Sequence, residues 1–122
     1  MAIKLNHTIV PARDKEAAAK FFADTFGVKH ESGHGPFAAV RVNDGLVLLF
    51  DTWDKVEKQH YAFHVSEPEF DQIFGRVKEA GIAWGSHPWT AKNGQLNDHG
   101  GGRGVYFESP DGHLLELMTV PQ

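Results

Sequence analysis

The sequence predicts an α+β fold in which two βαβββ modules form a curved, mostly antiparallel sheet cup with helices on its outer face. Three observations predict it. Apolar residues alternate at strand spacing in several short runs and recur at helical spacing in two longer ones. The order of these segments occurs twice along the chain. A chain of 122 residues, 41% hydrophobic and 23% charged, has the length and composition of one compact domain made of two small modules, about 1–54 and 55–122.

In the first module, Leu5 to Val10 reads as a strand. Asp14 suits an N-cap, Lys15 to Phe26 a helix, and Gly27 its stop. Ala17, Ala18, Phe21, Phe22 and Phe26 form the apolar stripe expected to be buried. Val28 to Glu31, Phe37 to Val42 and Leu46 to Asp51 read as three strands, the last two joined by an Asn43-Asp44-Gly45 turn. In the second module Gln59 to Val65 is a strand, and Ser66-Glu67-Pro68-Glu69 is a capping box opening a helix that buries Phe70, Ile73, Phe74 and Val77. Gly81 ends that helix and Ile82 to Trp84 is a short strand. A glycine-rich insertion follows, read as a mobile rim of the cup. Gly104 to Glu108 and Leu114 to Thr119 then pair across Ser109-Pro110-Asp111-Gly112. His7 precedes Gly27 by 20 residues and His60 precedes Gly81 by 21, so the halves align.

Side chains alternate across a strand, and this selects candidate functional residues. Tyr61, Phe63 and Val65 make an apolar face for the helix, leaving His60, Ala62 and His64 on the other. Leu115 and Leu117 likewise leave Glu116 inward, and Val105 and Phe107 leave Tyr106 inward. The repeat puts His7 in the place of His60. It puts Leu49, four residues after Gly45, in the place of Glu116, four after Gly112. Two imidazoles and one carboxylate, His7, His60 and Glu116, form a divalent-metal ligand set with positions left open, suited to Fe, Mn, Ni, Co or Zn. The competing reading makes them two core histidines and an edge glutamate, at the cost of burying an unpaired carboxylate among leucines.

Composition narrows the partners. The net charge is −4 and no basic block interleaves with aromatics, so nucleic acid is not expected. No apolar run spans a bilayer, and Met1 to Val10 lacks the features of a signal peptide. The absence of cysteine fits a cytoplasmic protein and removes disulfides and thiolate chemistry.

Leu5-Asn6-His7, Gln59-His60-Tyr61-Ala62-Phe63, and Gly102 to Phe107 leading into Pro110-Asp111-Gly112-His113-Leu114-Leu115-Glu116 resemble the vicinal oxygen chelate superfamily, which includes glyoxalases, bleomycin-resistance proteins and dioxygenases. The resemblance spans nearly the whole chain. It implies a divalent metal at His7, His60 and Glu116, chelated by vicinal oxygens of a small substrate, and a homodimer in which modules pair within one chain or across two. Glyoxalase I carries a second carboxylate at the position of Leu49. Fosfomycin-resistance thiol transferases match the three-ligand pattern and Tyr106, but carry polar phosphonate-binding residues near Gly100 and Gly104.

Glu116, Tyr106 and His64 are therefore the candidate catalytic groups, with Glu116 also able to take a proton. Arg103 and His99 are candidates for binding an anionic substrate, against a solvated loop. Trp53 and Trp89 are candidates for lining an apolar pocket, whereas Trp84 is read as core. His113 is read as structural or exposed. The resulting expectation is a metal-dependent enzyme that stabilises an anionic intermediate, of lyase, isomerase or transferase type. The alternatives are a metal-free protein that sequesters a small aromatic natural product, and an Fe(II) dioxygenase.

Overall fold

A computed structural model describes residues 3–122; Met1 and Ala2, the start of the stretch read against a signal peptide, lie outside the described residues. The chain divides into two compact units, Met1–Glu57 and Lys58–Gln122.

The first unit contains β1 (His7–Ala12), α1 (Lys15–Phe26), β2 (Lys29–Glu31), β3 (Ala38–Asn43) and β4 (Leu46–Thr52). Its four-stranded sheet has the order β1-β4-β3-β2. β1 lies parallel to β4, and the other two pairings are antiparallel. The parallel pair requires a long crossover, which α1, β2 and β3 supply. Pro11 is tolerated because β1 is the edge strand of this sheet. Asp14 caps α1 by accepting from the N–H groups of Glu16 and Ala17. Gly27, at φ 69°, ends it in the left-handed conformation that glycine adopts without strain.

The buried stripe of α1 is Ala18, Ala19, Phe22, Ala23, Thr25 and Phe26. It is rotated from the expected one, since Ala17 is exposed and Phe21 only half-buried. The rotation follows from the stacked pair Phe22 and Phe26 and the packing of Phe22 against Phe50 of β4, which fix the inward direction of the helix.

β2 and β3 are tied by Glu31, which accepts from Arg41 Nε at 2.8 Å and lies 2.7 Å from His34 Nε2. Those two hydrogen bonds, Arg41 first, hold the Glu31 carboxyl down at about 2. A depressed carboxylate stabilises the fold fully above its ordinary value near 4.5, and the contribution fades as pH falls toward about 2. Arg41→Ala is therefore expected to weaken the protein at pH 7 and to flatten its acid-unfolding limb between those values. The effect is small, because the pair is about one-third exposed and screened. Urea midpoints measured across that pH range check it.

The second unit repeats the plan with β5 (His60–His64), α2 (Glu67–Glu79), β6 (Trp84–Gly85), β7 (Gly104–Glu108) and β8 (Leu114–Met118), in the order β5-β8-β7-β6. β5 and β8 are parallel and the other pairs antiparallel. The Ser66 and Glu69 capping box forms, with Pro68 in the first turn. Phe70, Ile73, Phe74 and Val77 are buried, and Phe74 meets Trp84 edge-on at 4.8 Å. Val105, Phe107 and Leu117 are fully buried. The structure thus has two mixed sheets, each with one parallel pair, and the strands predicted from alternation fall within a few residues of those observed.

The glycine-rich insertion is not an open loop throughout. It contains a short 3-10 turn, η1 (His99–Gly101), and Asn97 bridges back to Gly104. Cβ atoms at Gly100 and Gly102 would press on Val120, so these glycines are needed where the insertion packs on the end of the chain. No described helix is long and apolar enough to cross a membrane.

Candidate functional site

Alternation along β5, β7 and β8 brings three polar side chains to one face of the second sheet. His60 and Ala62 are exposed, whereas Tyr61 and Phe63 on the opposite face are half-buried. Glu116 lies opposite Tyr106 in the β7–β8 ladder and Ala62 in the β5–β8 ladder, so the face carries His60, Glu116 and Tyr106 across adjacent strands.

Glu116 is only 3% exposed, yet it is not orphaned. Its Oε1 accepts from His60 Nε2 at 2.9 Å, and Tyr106 also hydrogen-bonds to it. Burial, then the bond to Glu116 and its negative charge, push the Tyr106 phenol up to about 12, so it stays a hydrogen-bond donor. The Tyr106 and His60 rings lie 5.8 Å apart. His60 remains 45% exposed and opens this pair to solvent.

A nitrogen and a carboxylate oxygen are the donor types that divalent transition metals take. Two ligands each about 2.1 Å from one ion, at about 90° to 110°, are about 3.0–3.4 Å apart. The observed 2.9 Å is a direct hydrogen bond, so the pair fits such an ion by donor type, with His60 Nε2 giving up its proton and the two atoms separating slightly.

Register defines the matching positions in the first unit. His7 pairs with Val47 as His60 pairs with Leu114. Two residues on, Leu49 therefore corresponds to Glu116. Ala39, the partner of Leu49, corresponds to Tyr106, the partner of Glu116. The first unit thus repeats the histidine but replaces the glutamate and tyrosine by Leu49 and Ala39, which form an apolar cluster with Val47 and Phe37. The pairing of Ala39 with Leu49 was not read from the sequence, because it depends on the β3 register rather than on distance from the hairpin glycine.

His7 itself is exposed, with Nδ1 2.8 Å from Asn6 Oδ1. Among the described residues no group of three or more His, Asp or Glu side chains is gathered as a metal would require. The expected trio is therefore represented by the His60–Glu116 pair, with His7 in the other unit.

The remaining candidates are distributed as follows. His64 is exposed on the His60 face, and its Nε2 lies 3.2 Å from the Thr119 carbonyl. Arg103 is engaged by Glu67 and Asp71 on α2 and lies over the Phe70 ring, which accounts for its charge without a substrate. Those acids lie 36 and 32 residues away in sequence, beyond what local spacing reveals. Trp53 donates to Asp51 at 2.9 Å, and Trp89, 77% exposed, stacks on His87. His99 lies in the insertion near His87. His113 is buried and accepts from the Gln59 N–H at 3.0 Å, joining the β8 hairpin to the start of β5.

Residues 4–117 match the Glyoxalase/Bleomycin resistance protein/Dioxygenase superfamily. The chain belongs to this superfamily. Within it, the chain is similar to two solved structures described as oxidases. Oxidase ChaP-H2 is 46% identical with a TM-score of 0.93, covering 99% of this chain and 96% of the other. Oxidase ChaP-H1 is 45% identical with a TM-score of 0.92, covering 98% of both. The chain is also 26% identical to the glutathione transferase FosA of Serratia marcescens, over 96% of this chain and 81% of that protein.

Proposed function

We propose that this superfamily member is a metal-dependent enzyme that oxidises a small oxygen-bearing molecule. His60 and Glu116 are its metal ligands, together with His7 of this chain or of a second copy in a homodimer. The observation that carries the reading is the convergence of His60 Nε2 and Glu116 Oε1, in a chain close in sequence to proteins described as oxidases. A bound divalent metal supplies Lewis acidity toward substrate oxygens and, as Fe(II), a route for electrons to dioxygen.

The residues of the chain do the rest. Glu116 contributes the negative charge that offsets the ion. Tyr106 orients the Glu116 carboxylate through its O–H, as hydrogen-bonded neighbours of metal ligands do. His64 donates Nε2–H to Thr119, which leaves Nδ1 as an acceptor for a substrate proton.

Oxidation is preferred to thiol transfer for two reasons. Identity to the oxidases is much higher than to the glutathione transferase. Position 104 is also a glycine with the Asn97 side chain against it, so it presents no polar side chain of its own to a phosphonate.

Elemental analysis of protein purified without added metal, followed by reloading with Fe(II), tests the reading. The expected result is uptake of iron and consumption of oxygen in the presence of catechols or related phenols. Failure to take up Fe, Mn, Ni, Co or Zn would sink it and leave a metal-free binding protein. Metal uptake with thiol addition to an epoxide but no oxygen consumption would move the reaction to the transferase class.

A further inference from the structure

We propose that His113 is a positioning residue for the metal pair: it fixes the start of β5, and with it His60, against Glu116. The proposal rests on the reading of His60 and Glu116 as metal ligands. Glu116 is buried in the middle of β8, with a paired strand on either side. His60 is the first residue of β5, the edge strand of its sheet, and is 45% exposed. Pairing opens first at such an end, so whatever ties Gln59 decides where His60 stands.

The Gln59 carbonyl accepts from the Leu114 N–H at 2.8 Å. Continued by the parallel pattern, the ladder would send the Gln59 N–H to the carbonyl of Gly112. The chain turns at Gly112, φ 85°, and leaves the ladder there. The Gln59 N–H goes instead to His113 Nδ1 at 3.0 Å, 54 residues away in sequence. The imidazole thus takes the place of the next backbone acceptor and extends the β5–β8 pairing past the point where β8 begins. The imidazole is itself held. His113 donates its N–H to Ser109 Oγ at 3.1 Å, and its carbonyl accepts from the Ser109 N–H at 2.9 Å. The residue is 3% exposed, and its ring meets Tyr61 edge-on at 5.6 Å. Tyr61 is on the face of β5 opposite His60, so His113 acts on the ligand through the Gln59 backbone. One residue of slip moves a strand by about 3.3 Å and turns its side chains to the other face. Loosening this end by a fraction of that step separates His60 Nε2 from Glu116 Oε1, which stand 2.9 Å apart.

His113→Asn and His113→Leu, compared with the native chain, make the test. Asn carries an oxygen where the imidazole carries Nδ1, one bond beyond Cγ, and Leu carries a methyl there. Both lack the outer ring atoms, so both should unfold at lower urea than the native chain. Only His113→Leu should bind metal more weakly, by about tenfold in equilibrium dialysis against Zn(II), with His113→Asn within about twofold of the native chain. A merely structural His113 would leave the two folded variants alike in affinity. In the metal-free protein, 15N NMR should show a coupling across the hydrogen bond between the Gln59 amide and His113 Nδ1. The His60 imidazole signals should keep their native positions in His113→Asn and move in His113→Leu. These signals are read without metal, so native protein that takes up no metal but shows them would defeat the metal reading alone and leave His113 holding the pair. A missing coupling, His60 signals unmoved in His113→Leu, or equal affinities of the two variants would overturn the proposal. Should His113→Leu not fold, weak Zn(II) binding or displaced His60 signals in His113→Asn would overturn it just as well.

Discussion

Glu116→Gln is expected to lower divalent-metal affinity by more than about 100-fold, since loss of a neighbour of a ligand already costs about 10–100-fold. Gln keeps the size of Glu116 and an oxygen that accepts from His60 and Tyr106. The buried position, 3% exposed, therefore stays filled and hydrogen-bonded. What changes is the formal charge and the donor strength of the oxygen. Metal loss without unfolding separates ligation from stability. Glu116→Ala does not separate them, because it leaves a void and a buried Tyr106 hydroxyl without its acceptor, at about 1–3 kcal/mol for the stranded group alone. Equilibrium dialysis against Fe(II), Mn(II) and Zn(II), beside urea unfolding of the metal-free protein, makes the comparison. Unchanged uptake in Glu116→Gln with unchanged unfolding would remove Glu116 from the ligand set.

The reason so much of this site was legible lies in strand geometry. A period of two assigns each residue of β5 and β8 to a face once the apolar partners Phe63, Val65, Leu115 and Leu117 are recognised. His60 and Glu116 follow with no further information. The caps Asp14, Gly27 and Ser66 were legible for the same kind of reason, since each satisfies a helix end with groups within four residues. The insertion was not legible, because neither a helical nor a strand period operates there. Its order comes from Asn93 and Asn97, whose amides bridge backbone groups that sequence spacing alone does not bring together. Arg103 shows the same limit. A basic residue in a polar loop reads as either a binding group or a solvated side chain, and its acidic partners on α2 are visible only in the structure. The rotated stripe of α1 marks a third limit, since consecutive alanines fit either of two neighbouring faces and only Phe22 and Phe26 decide between them.

Leu49→Glu is expected to destabilise the protein by about 2–4 kcal/mol at neutral pH, and by much less in mildly acidic solution. Leu49 occupies the position that Glu116 holds in the second unit, but its surroundings differ. Ala39 stands where Tyr106 would donate, and Val47 and Phe37 complete an apolar cluster around it. A glutamate placed there would lose hydration without gaining the hydroxyl donor that Glu116 has. Its folded-state pKa should therefore rise above the unfolded value. At pH below the unfolded value, both states are protonated and the charge penalty vanishes. As pH rises the unfolded state ionises first, so the penalty grows until the folded-state pKa is passed. Leu49→Gln supplies the control, because an amide carries the polar cost without this pH dependence. Urea unfolding of both variants from mildly acidic to mildly alkaline pH makes the comparison. Parallel curves would show that the introduced carboxylate finds a partner or solvent. Divergence toward alkaline pH would show that register and a matching histidine, His7, do not make this position a ligand site: the Tyr106 hydroxyl, which Ala39 cannot supply, is what lets the second unit hold a buried carboxylate.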